Sequence, residues 1–552
     1  MNSEILAIHA FHDCSITFVD KNNDLRIFEL ERFVGKRNCS FYDAYSTVSD
    51  FEGCDENLKH EFLSYIKSQL KEEPKYVLYS HSDSSSISIF KKYFNDAEFI
   101  KMGHHISHCV GAYFQSGFKK SLVMSFDGGG LDYENSFDMT MNSHAIYKIE
   151  DGDVETLSIT NDKKSLIFTL GMYGSFAFFI SEIKKNIGRL NTSIPFGLAY
   201  AGKMMGLVAY GEVRTEWIEP IRNFYMIHPN FVYVETTWNN IVKKLSKDLS
   251  IDLKENCFSG QDSYDLAATN QYVFEELCMF FIKPYIEKYN LDVILSGGCA
   301  LNVLFNQKLK EYLNGKNLNL YIPPNPGDDG LSFGHYCWFN KGLSKKFSSY
   351  SGIDILDRDK IPFYYRKYKE YGKVEYCKIS RIVDLIKDGK IGGIIQGYSE
   401  VGPRALGNRS IICDPSIADM KDIINSKVKF REWFRPFAPV CREEDKDLYF
   451  ENVFPSEYMS FAPKVKHEFR KKLPSITHAD GTARLQTVTR DQHQLFYDIL
   501  SELNFKNEVA VIMNTSFNIK GKPILTRVED AFYVLENTEL DFLIVENLLF
   551  CK

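Results

Sequence analysis

An α/β fold is what this sequence predicts, on three observations. Short apolar runs recur with turn residues at their ends, and several pass through glycines into segments of helical periodicity. The composition is that of an ordinary globular chain, 44% hydrophobic and 25% charged. At roughly 100–200 residues per domain, 552 residues exceed a single core and call for two to four.

Ile5-Leu6-Ala7-Ile8, then His9 to Asp13, then Ser15-Ile16-Thr17-Phe18-Val19 read as strand, turn and strand. Residues 121–126 repeat the theme: they run into Asp127-Gly128-Gly129-Gly130 and resume near 136–139. Both units read as hairpins with an acid at the bend. Val293-Ile294-Leu295-Ser296 is a third strand, ending in Gly297-Gly298 ahead of a helical pattern from Ala300 through Leu301, Leu304, Phe305 and Leu309. From Lys341 to about Tyr371, glycine and serine mix with lysine and aspartate without sustained periodicity, so the main boundary is expected there. The expectation is a first domain over 1–345, a linker over 346–374 and a second domain over 375–552. In the second, 391–395 and 509–513 read as buried strands and 494–503 as a helix.

Charge and cysteine usage narrow the function classes. Lysine and arginine number 66 against 73 aspartates and glutamates, a net charge of −7, so no bulk pull toward nucleic acid or anionic membrane is expected. The 12 cysteines include no C-x-x-C pair, which points away from a zinc ribbon or a disulfide framework. Met1-Asn2-Ser3-Glu4-Ile5 lacks the basic start and apolar core of a secretory signal. The most apolar stretch, 166–180, is short for a span and carries Gly171, Tyr173, Gly174 and Ser175. A cytoplasmic, enzyme-sized protein without a membrane segment is the expectation, and oligomeric state has no signature.

Four constellations bear on chemistry. In Gly103-His104-His105-Ile106-Ser107-His108, His104 and His108 stand four apart, the spacing by which two imidazoles on one helix face reach one metal. The same residues also read as a polar helix start with hydrogen-bonded histidines. Asp127-Gly128-Gly129-Gly130 offers either a cation ligand beside phosphate-binding N–H groups or a tight hairpin. Asp328 and Asp329, after the stiff Pro323-Pro324-Asn325-Pro326-Gly327, read as helix N-terminal charges; alternatively, Asp328 completes a His/His/Asp site with His104 and His108 for iron, zinc or manganese. The fourth runs from Gly402 to Arg435, with seven basic residues (Arg404, Arg409, Lys421, Lys427, Lys429, Arg431, Arg435) against four acidic ones. Arginines on a glycine-punctuated loop after a buried strand suit phosphate or carboxylate recognition. Solvated surface charge fits poorly, because the basic residues alternate with Trp433, Phe434 and Phe437. Asp480 to Gln486 and Asn514-Thr515-Ser516-Phe517-Asn518 add another arginine and two amides. No Walker A loop or G-x-S-x-G elbow is present.

Taken together, these pieces resemble the bifunctional O-carbamoyltransferases of antibiotic and nodulation-factor biosynthesis. The matching segments are 103–108, Gly202-Lys203-Met204-Met205-Gly206-Leu207, Gly297-Gly298-Cys299-Ala300-Leu301-Asn302, 324–330, 402–410, Arg435-Pro436-Phe437-Ala438-Pro439, 478–486 and 514–518. They stand in family order over nearly the whole chain. The resemblance implies an N-terminal domain of the actin-like ATPase superfamily, similar to threonylcarbamoyl transferases, and a C-terminal YrdC-like α/β domain. It further implies that the C-terminal site makes carbamoyladenylate from carbamoyl phosphate and ATP with Mg. The N-terminal site then passes the carbamoyl group to an acceptor hydroxyl beside Fe(II) or another divalent transition metal.

Carried over by position, the metal ligands are His104, His108, Asp127 and Asp328. Lys203, Gly297, Gly298 and Asn302 line the adenylate. Arg404, Arg435, Arg484, Asn514 and Asn518 form the carbamoyl phosphate and ATP pocket. His12, at the first hairpin, is the candidate for removing the acceptor's proton. One departure is the run from Asp127 to Asp132, which lacks the Gly-x-Gly-Glu form of many members. Acceptors compatible with the sequence are a natural-product sugar, a glycan or a hydroxymethylated nucleobase, contacted by loops between about 166 and 260. The competing readings are tRNA threonylcarbamoyl transfer, which wants a basic surface, and an actin-like sugar kinase, which leaves the arginine-rich half without a role.

Overall fold

The computed structural model describes residues 2–37, 39–41, 54–80, 84–135, 138–159, 170–184, 198–225, 243–253, 257–343, 345–506, 508–519 and 521–552. Contacts group the chain into two units, Met1–Leu25 with Asn38–Phe347, and Arg26–Arg37 with Ser348–Lys552.

The first unit rests on two five-stranded sheets. One is built from β1 (Ile5–His9), β2 (Ser15–Val19), β3 (Leu25–Glu29, of which all but Leu25 is grouped with the second unit), β4 (Tyr76–Ser80) and β5 (Glu98–Lys101), in the order β3-β2-β1-β4-β5. The other is built from β6 (Lys120–Asn135), β7 (Asp138–Glu150), β8 (Asp153–Ile159), β9 (Val293–Ser296) and β10 (Leu320–Tyr321), in the order β10-β9-β6-β7-β8. The second order repeats the first. In each, the leading strand pairs antiparallel with the next strand in sequence and parallel with the fourth. This duplication fits the actin-like domain that the resemblance implies. Ile5, Leu6, Ala7 and Ile8 are buried, as are Leu122, Val123 and Met124, so both leading strands are two-sided core strands.

Two helices fix what lies between these sheets. The His104–Ser116 helix crosses the Leu331–Asn340 helix where Gly111 meets Gly334. A Cβ on Gly334 would stand 2.1 Å from the Ser107 carbonyl oxygen, so only glycine permits this crossing. The crossing brings the turn ahead of the second helix, Asp328–Gly330, to the start of the first.

The second unit is an α/β unit around one mixed sheet. Its strands are β11 (Val374–Tyr376), β12 (Gly392–Ile395), β13 (Arg409–Cys413) and β14 (Ala438–Arg442), then, past a small ribbon of β15 (Phe450–Glu451) and β16 (Lys464–Val465), β17 (Gln486–Val488), β18 (Ile512–Ser516), β19 (Phe542–Val545) and β20 (Leu548–Cys551). The order is β11-β20-β19-β12-β13-β18-β14-β17. Alternation along the strands makes two cores. Ile394, Ile412 and Ile512 face the Ile379–Lys387 and Gln494–Phe505 helices. Ile395, Ile411 and Met513 face the Val528–Asn537 helix.

Two expectations change. Asp127-Gly128-Gly129-Gly130 is not the bend of a hairpin: β6 runs through it to Asn135, with a register shift between Phe126 and Gly130. The glycines serve a bulge inside a strand, which re-aims Asp127. The stretch read as lacking periodicity also contains a helix, Ile361–Lys369, whose Tyr364 ring stacks on Phe532 at 3.8 Å.

Candidate active site

In the first unit, polar side chains gather at the carboxyl ends of parallel strands, where α/β sheets ordinarily bind ligands. His9 ends β1, Ser80 ends β4, His104 follows β5, Asp127 follows the paired stretch of β6, and Gly297 follows β9. One donor atom from each of His104, His108, Asp127 and Asp328 lies within 4.8 Å of all the others, and all four residues are buried. Asp127 Oδ2 is 2.9 Å from His104 Nε2 and 3.1 Å from His108 Nε2. Asp328 Oδ1 is 3.3 Å from His108 Nε2, and the two Nε2 atoms are 3.2 Å apart. Burial favours a neutral His108, but Asp127 and Asp328 outweigh it and hold its pKa up at about 9. Asp127 stays ionised against burial and the nearby Asp328, because both imidazoles support its charge. Two imidazole nitrogens and two carboxylates converging on one point are the donor set of a divalent transition metal, so the residues fit the metal that the resemblance implies.

The surroundings orient these ligands. His105 points away from the cluster, as its spacing predicts, with Nδ1 at 2.8 Å from Ser125 Oγ and Nε2 at 2.9 Å from the Asn142 carbonyl. Burial pushes its pKa down to about 4. Asp132 accepts the His105 N–H at 2.9 Å and the Asn142 amide at 2.9 Å, pinning the helix start. His12 stands at the edge of the cluster, Nε2 at 3.6 Å from Asp328 and Nδ1 at 3.1 Å from Asp13. Burial lowers its pKa, but Asp328 and Asp13 together raise it to about 9. His9, which sequence reasoning did not single out, is fully buried with Nε2 at 3.4 Å from Asp328 and 3.0 Å from the His12 carbonyl. Its signal was present as a polar residue closing an apolar strand, three residues before His12.

The residues expected to line an adenylate are placed less uniformly. Gly298 donates its N–H toward Asp127 Oδ1 at 3.3 Å, and Gly297 donates to the Pro326 carbonyl at 2.7 Å, so both brace the turns that carry Asp127 and Asp328. Asn302 caps the Val303–Asn314 helix through the Phe305 N–H at 3.0 Å and pairs with Gln271 at 2.9 Å. Lys203 lies on the Leu198–Leu207 helix, its ammonium 5.1 Å from the Tyr200 ring centroid. Much of 166–260, where acceptor contacts are expected, lies outside the described residues.

In the second unit, topology gathers the basic residues. β13, β14 and β17 start, and β18 ends, at one end of the sheet. Arg404 precedes β13, Arg435 precedes β14, Arg484 precedes β17, Asn514 lies in the middle of β18 opposite the first residue of β14, and Asn518 follows β18 by two residues. Arg484 is pushed well down from its ordinary range, first by burial and then by Arg404, Arg431 and Arg435. Lys429 and Arg431 are displaced in the same way, by burial first and then by their cationic neighbours. Glu432 supplies a carboxylate, 3.7 Å from Arg435. Lys429 donates to Asn518 Oδ1 and, at 3.1 Å, to Ser516 Oγ. Asn514 donates to the Ala405 carbonyl at 3.0 Å and to Gln486 at 2.8 Å, tying β18 to the Arg404 loop. Arg484 Nε and Asn514 Oδ1 are buried without a hydrogen-bond partner among the described residues. Like charges concentrated at one end of a sheet, partly withdrawn from water, are what a bound polyanion offsets.

Lys429 and Arg431 join the expected five, and the basic run had pointed to them. Arg409, from the same run, is structural: it is fully buried and donates to the carbonyls of Gln396 (2.6 Å), Gly397 (2.8 Å) and Asn408 (2.9 Å).

Comparison with known proteins places both halves. The Carbamoyltransferase N-terminus domain matches residues 57–337, half of the chain, and the Carbamoyltransferase C-terminus domain matches 383–552. The chain belongs to the carbamoyltransferase family. This carbamoyltransferase is 31% identical over 465 residues to nodulation protein NolNO of Sinorhizobium fredii (strain NBRC 101917 / NGR234), a match covering 82% of the chain but 64% of NolNO, less than two thirds. It is 29% identical over 456 residues to nodulation protein NolO of Bradyrhizobium diazoefficiens, covering 80% of the chain and 78% of that protein. An uncharacterized protein of Methanocaldococcus jannaschii matches over 99% of both lengths at 28% identity. Among solved structures, full-length HypF in its phosphate- and nucleotide-bound form is a distant likeness, with a TM-score of 0.35 and 14% identity over 62% of this chain and 47% of that one. Among the described residues, no helix of the carbamoyltransferase is long and apolar enough to cross a membrane.

Proposed function

We propose that the chain is an ATP-dependent O-carbamoyltransferase whose two units divide the reaction. In the second unit, carbamoyl phosphate gives up its phosphate to water, leaving carbamate. A carbamate oxygen attacks the α-phosphorus of ATP·Mg, pyrophosphate leaves, and carbamoyladenylate remains. The observation that carries this reading is the cluster of half-buried Arg404, Arg431, Arg435 and Arg484 around the buried Lys429, gathered at one end of the sheet, whose mutual repulsion phosphoryl groups relieve. Coupling to AMP turns a poor electrophile into one with a good leaving group, and the cations hold the charge that develops on the phosphate oxygens.

In the first unit, an acceptor hydroxyl attacks the carbamoyl carbonyl and AMP departs. His104, His108, Asp127 and Asp328 would hold the divalent metal, Fe(II) in the family resembled, and when bound it supplies positive charge beside the carbonyl oxygen. His12 holds the transferred proton at Nε2, with Asp13 fixing its ring through Nδ1. Gly297 and Gly298 steady Asp127 and the turn that carries Asp328. The acceptor is a hydroxylated natural product, glycan or nucleobase, and the reaction belongs to the cytoplasm, where carbamoyl phosphate and ATP occur.

The test separates the halves. Carbamoyl-phosphate-dependent release of pyrophosphate from ATP should fall roughly tenfold or more in Arg484→Ala, which loses a charge-assisted partner. His108→Ala should retain that release and lose transfer to the hydroxyl. If His108→Ala abolished pyrophosphate release, or Arg484→Ala left it intact, the division of labour would be wrong.

A further inference from the structure

A segment from near the start of the chain is grouped with the second unit, far in sequence from the rest of it. Residues 26–37 lie outside both matched family domains, which cover 57–337 and 383–552. The segment is anchored firmly. Arg32, 2% exposed, donates to the carbonyls of Glu400 and Gly402 and pairs with Glu29 at 2.8 Å. Glu29 in turn accepts the Gly402 N–H at 3.1 Å. Arg26 lies over the Tyr398 ring at 3.5 Å. These contacts grip the loop that carries Arg404, two residues past Gly402. The Thr526 hydroxyl donates to the Arg32 carbonyl at 2.8 Å, fixing the segment from the other side.

The end of the anchored segment is Arg37. Its Nε donates to the Lys522 carbonyl at 3.0 Å, the same oxygen that accepts from Asn518 Nδ2 at 2.7 Å. Asn518 is the amide that receives Lys429. Arg37 is therefore joined through one shared carbonyl to the Asn518 amide and, through it, the Lys429 ammonium, while its own side chain remains exposed and has donors left for a ligand. It acts electrostatically on Lys429, Arg431 and Arg435 and disfavours the charge on each, which places it within the same field.

We propose that Arg37 is a phosphoryl-binding residue of the second unit's anion site, delivered by the anchored segment Arg26–Arg37. This rests on the reading of that site as a phosphate pocket. The exposed guanidinium adds a cation two hydrogen bonds from the Asn518 amide that receives the buried Lys429, and suits a phosphoryl oxygen of either carbamoyl phosphate or ATP.

The test is binding by the full chain, because binding of inorganic pyrophosphate and of inorganic phosphate needs no turnover. Calorimetry on the parent protein, Arg37→Gln, Arg37→Lys and Arg484→Gln is expected to show about tenfold weaker pyrophosphate binding for Arg37→Gln, the loss of one charge-assisted contact. Arg37→Lys should recover much of it, and thermal unfolding of both variants should match the parent because the side chain is exposed. Titration with ATP and with carbamoyl phosphate then assigns the source, by which of the two affinities falls in Arg37→Gln. Unchanged affinity for every probe in Arg37→Gln, with Arg484→Gln weakened, overturns the role of Arg37 and leaves the pocket standing. Unchanged affinity in Arg484→Gln as well overturns the pocket and Arg37 with it.

Discussion

Replacing Gly130 by alanine is the sharpest test of the histidine–aspartate cluster, because it adds one methyl group and removes no donor. A Cβ at this position would stand 2.1 Å from His104 Cγ and Cδ2. Carbon atoms in contact need about 3.5–4.0 Å, so the imidazole must retreat by about 1.5 Å or more. It has nowhere to go without breaking the cluster, since the ring is 1% exposed and its Nε2 is set 2.9 Å from Asp127 and 3.2 Å from His108. Ligand positions in metal sites tolerate only about 0.2 Å. One donor of four is lost, and affinity for the metal should fall by about 100-fold or more, at or beyond the upper end of what mutating a ligand's supporting partner costs. Overpacking costs about 1–3 kcal/mol of stability, which a chain of this size survives. Elemental analysis of the variant, purified without chelator, reads the outcome beside pyrophosphate release, which the proposed division of labour gives to the other unit and which should keep its parent rate. A full equivalent of metal retained by Gly130→Ala would refute the assignment of His104 as a ligand in this geometry.

Glu400→Ala should unfold more easily, because Glu400 Oε1 accepts the N–H groups of Leu406 (2.6 Å), Gly407 (2.9 Å), Asn408 (2.9 Å) and Arg409 (3.2 Å). At about 1–3 kcal/mol per stranded buried donor, denaturant titration should show a loss of about 4 kcal/mol or more, and Glu400→Gln, which keeps an accepting oxygen, should lose much less. A fall below about 1 kcal/mol in the alanine variant would show that water takes over the carboxylate's role. His493 caps the Gln494–Phe505 helix, with Nδ1 accepting the Phe496 N–H at 3.1 Å, and burial pushes its pKa from 6.5 down to about 4. The unfolded chain therefore binds the proton first, so this residue's effect is absent above about pH 6.5 and grows as a loss of stability down to pH 4, reaching about 2 kcal/mol at pH 5. His493→Asn keeps a capping oxygen and removes the titration. Its stability should change less between pH 7 and pH 5 than the parent's, and an identical pH dependence would count against a neutral His493.

Apolar periodicity made the strands legible: Ile5 to Ile8, Ser15 to Val19 and Val293 to Ser296 all lie in strands. The i, i+4 histidine pair was equally visible, since it depends on one helix. The glycine run after Asp127 misled, because consecutive glycines serve a hairpin bend and a strand bulge alike, and what decides is the approach of the His104 ring to Gly130 from another element. Asp328 meets His108 only through the crossing at Gly111 and Gly334, so the residues themselves left helix charge and metal ligand as alternatives, and the resemblance chose between them. His9 looked like the last residue of a strand. Arg37 had no signal at all, because nothing in a local window says that it shares a carbonyl with Asn518.

The grouping of Arg26–Arg37 with Ser348–Lys552 sets a problem of timing for the growing chain. The segment leaves the ribosome early, yet the loop residues it holds, at 398–402 and 522–526, are made hundreds of residues later. At about 5–20 residues per second, it waits on the order of a minute for its partners, with Arg32 and Glu29 unburied meanwhile. Closing so long a loop costs little more free energy than closing a shorter one, since the penalty grows only with the logarithm of length. The delay falls on rate instead, because contacts so distant in sequence form late. A C-terminal fragment beginning at Ser348 would therefore lack a piece of its own interior, and adding a peptide of residues 26–37 should be what lets it close.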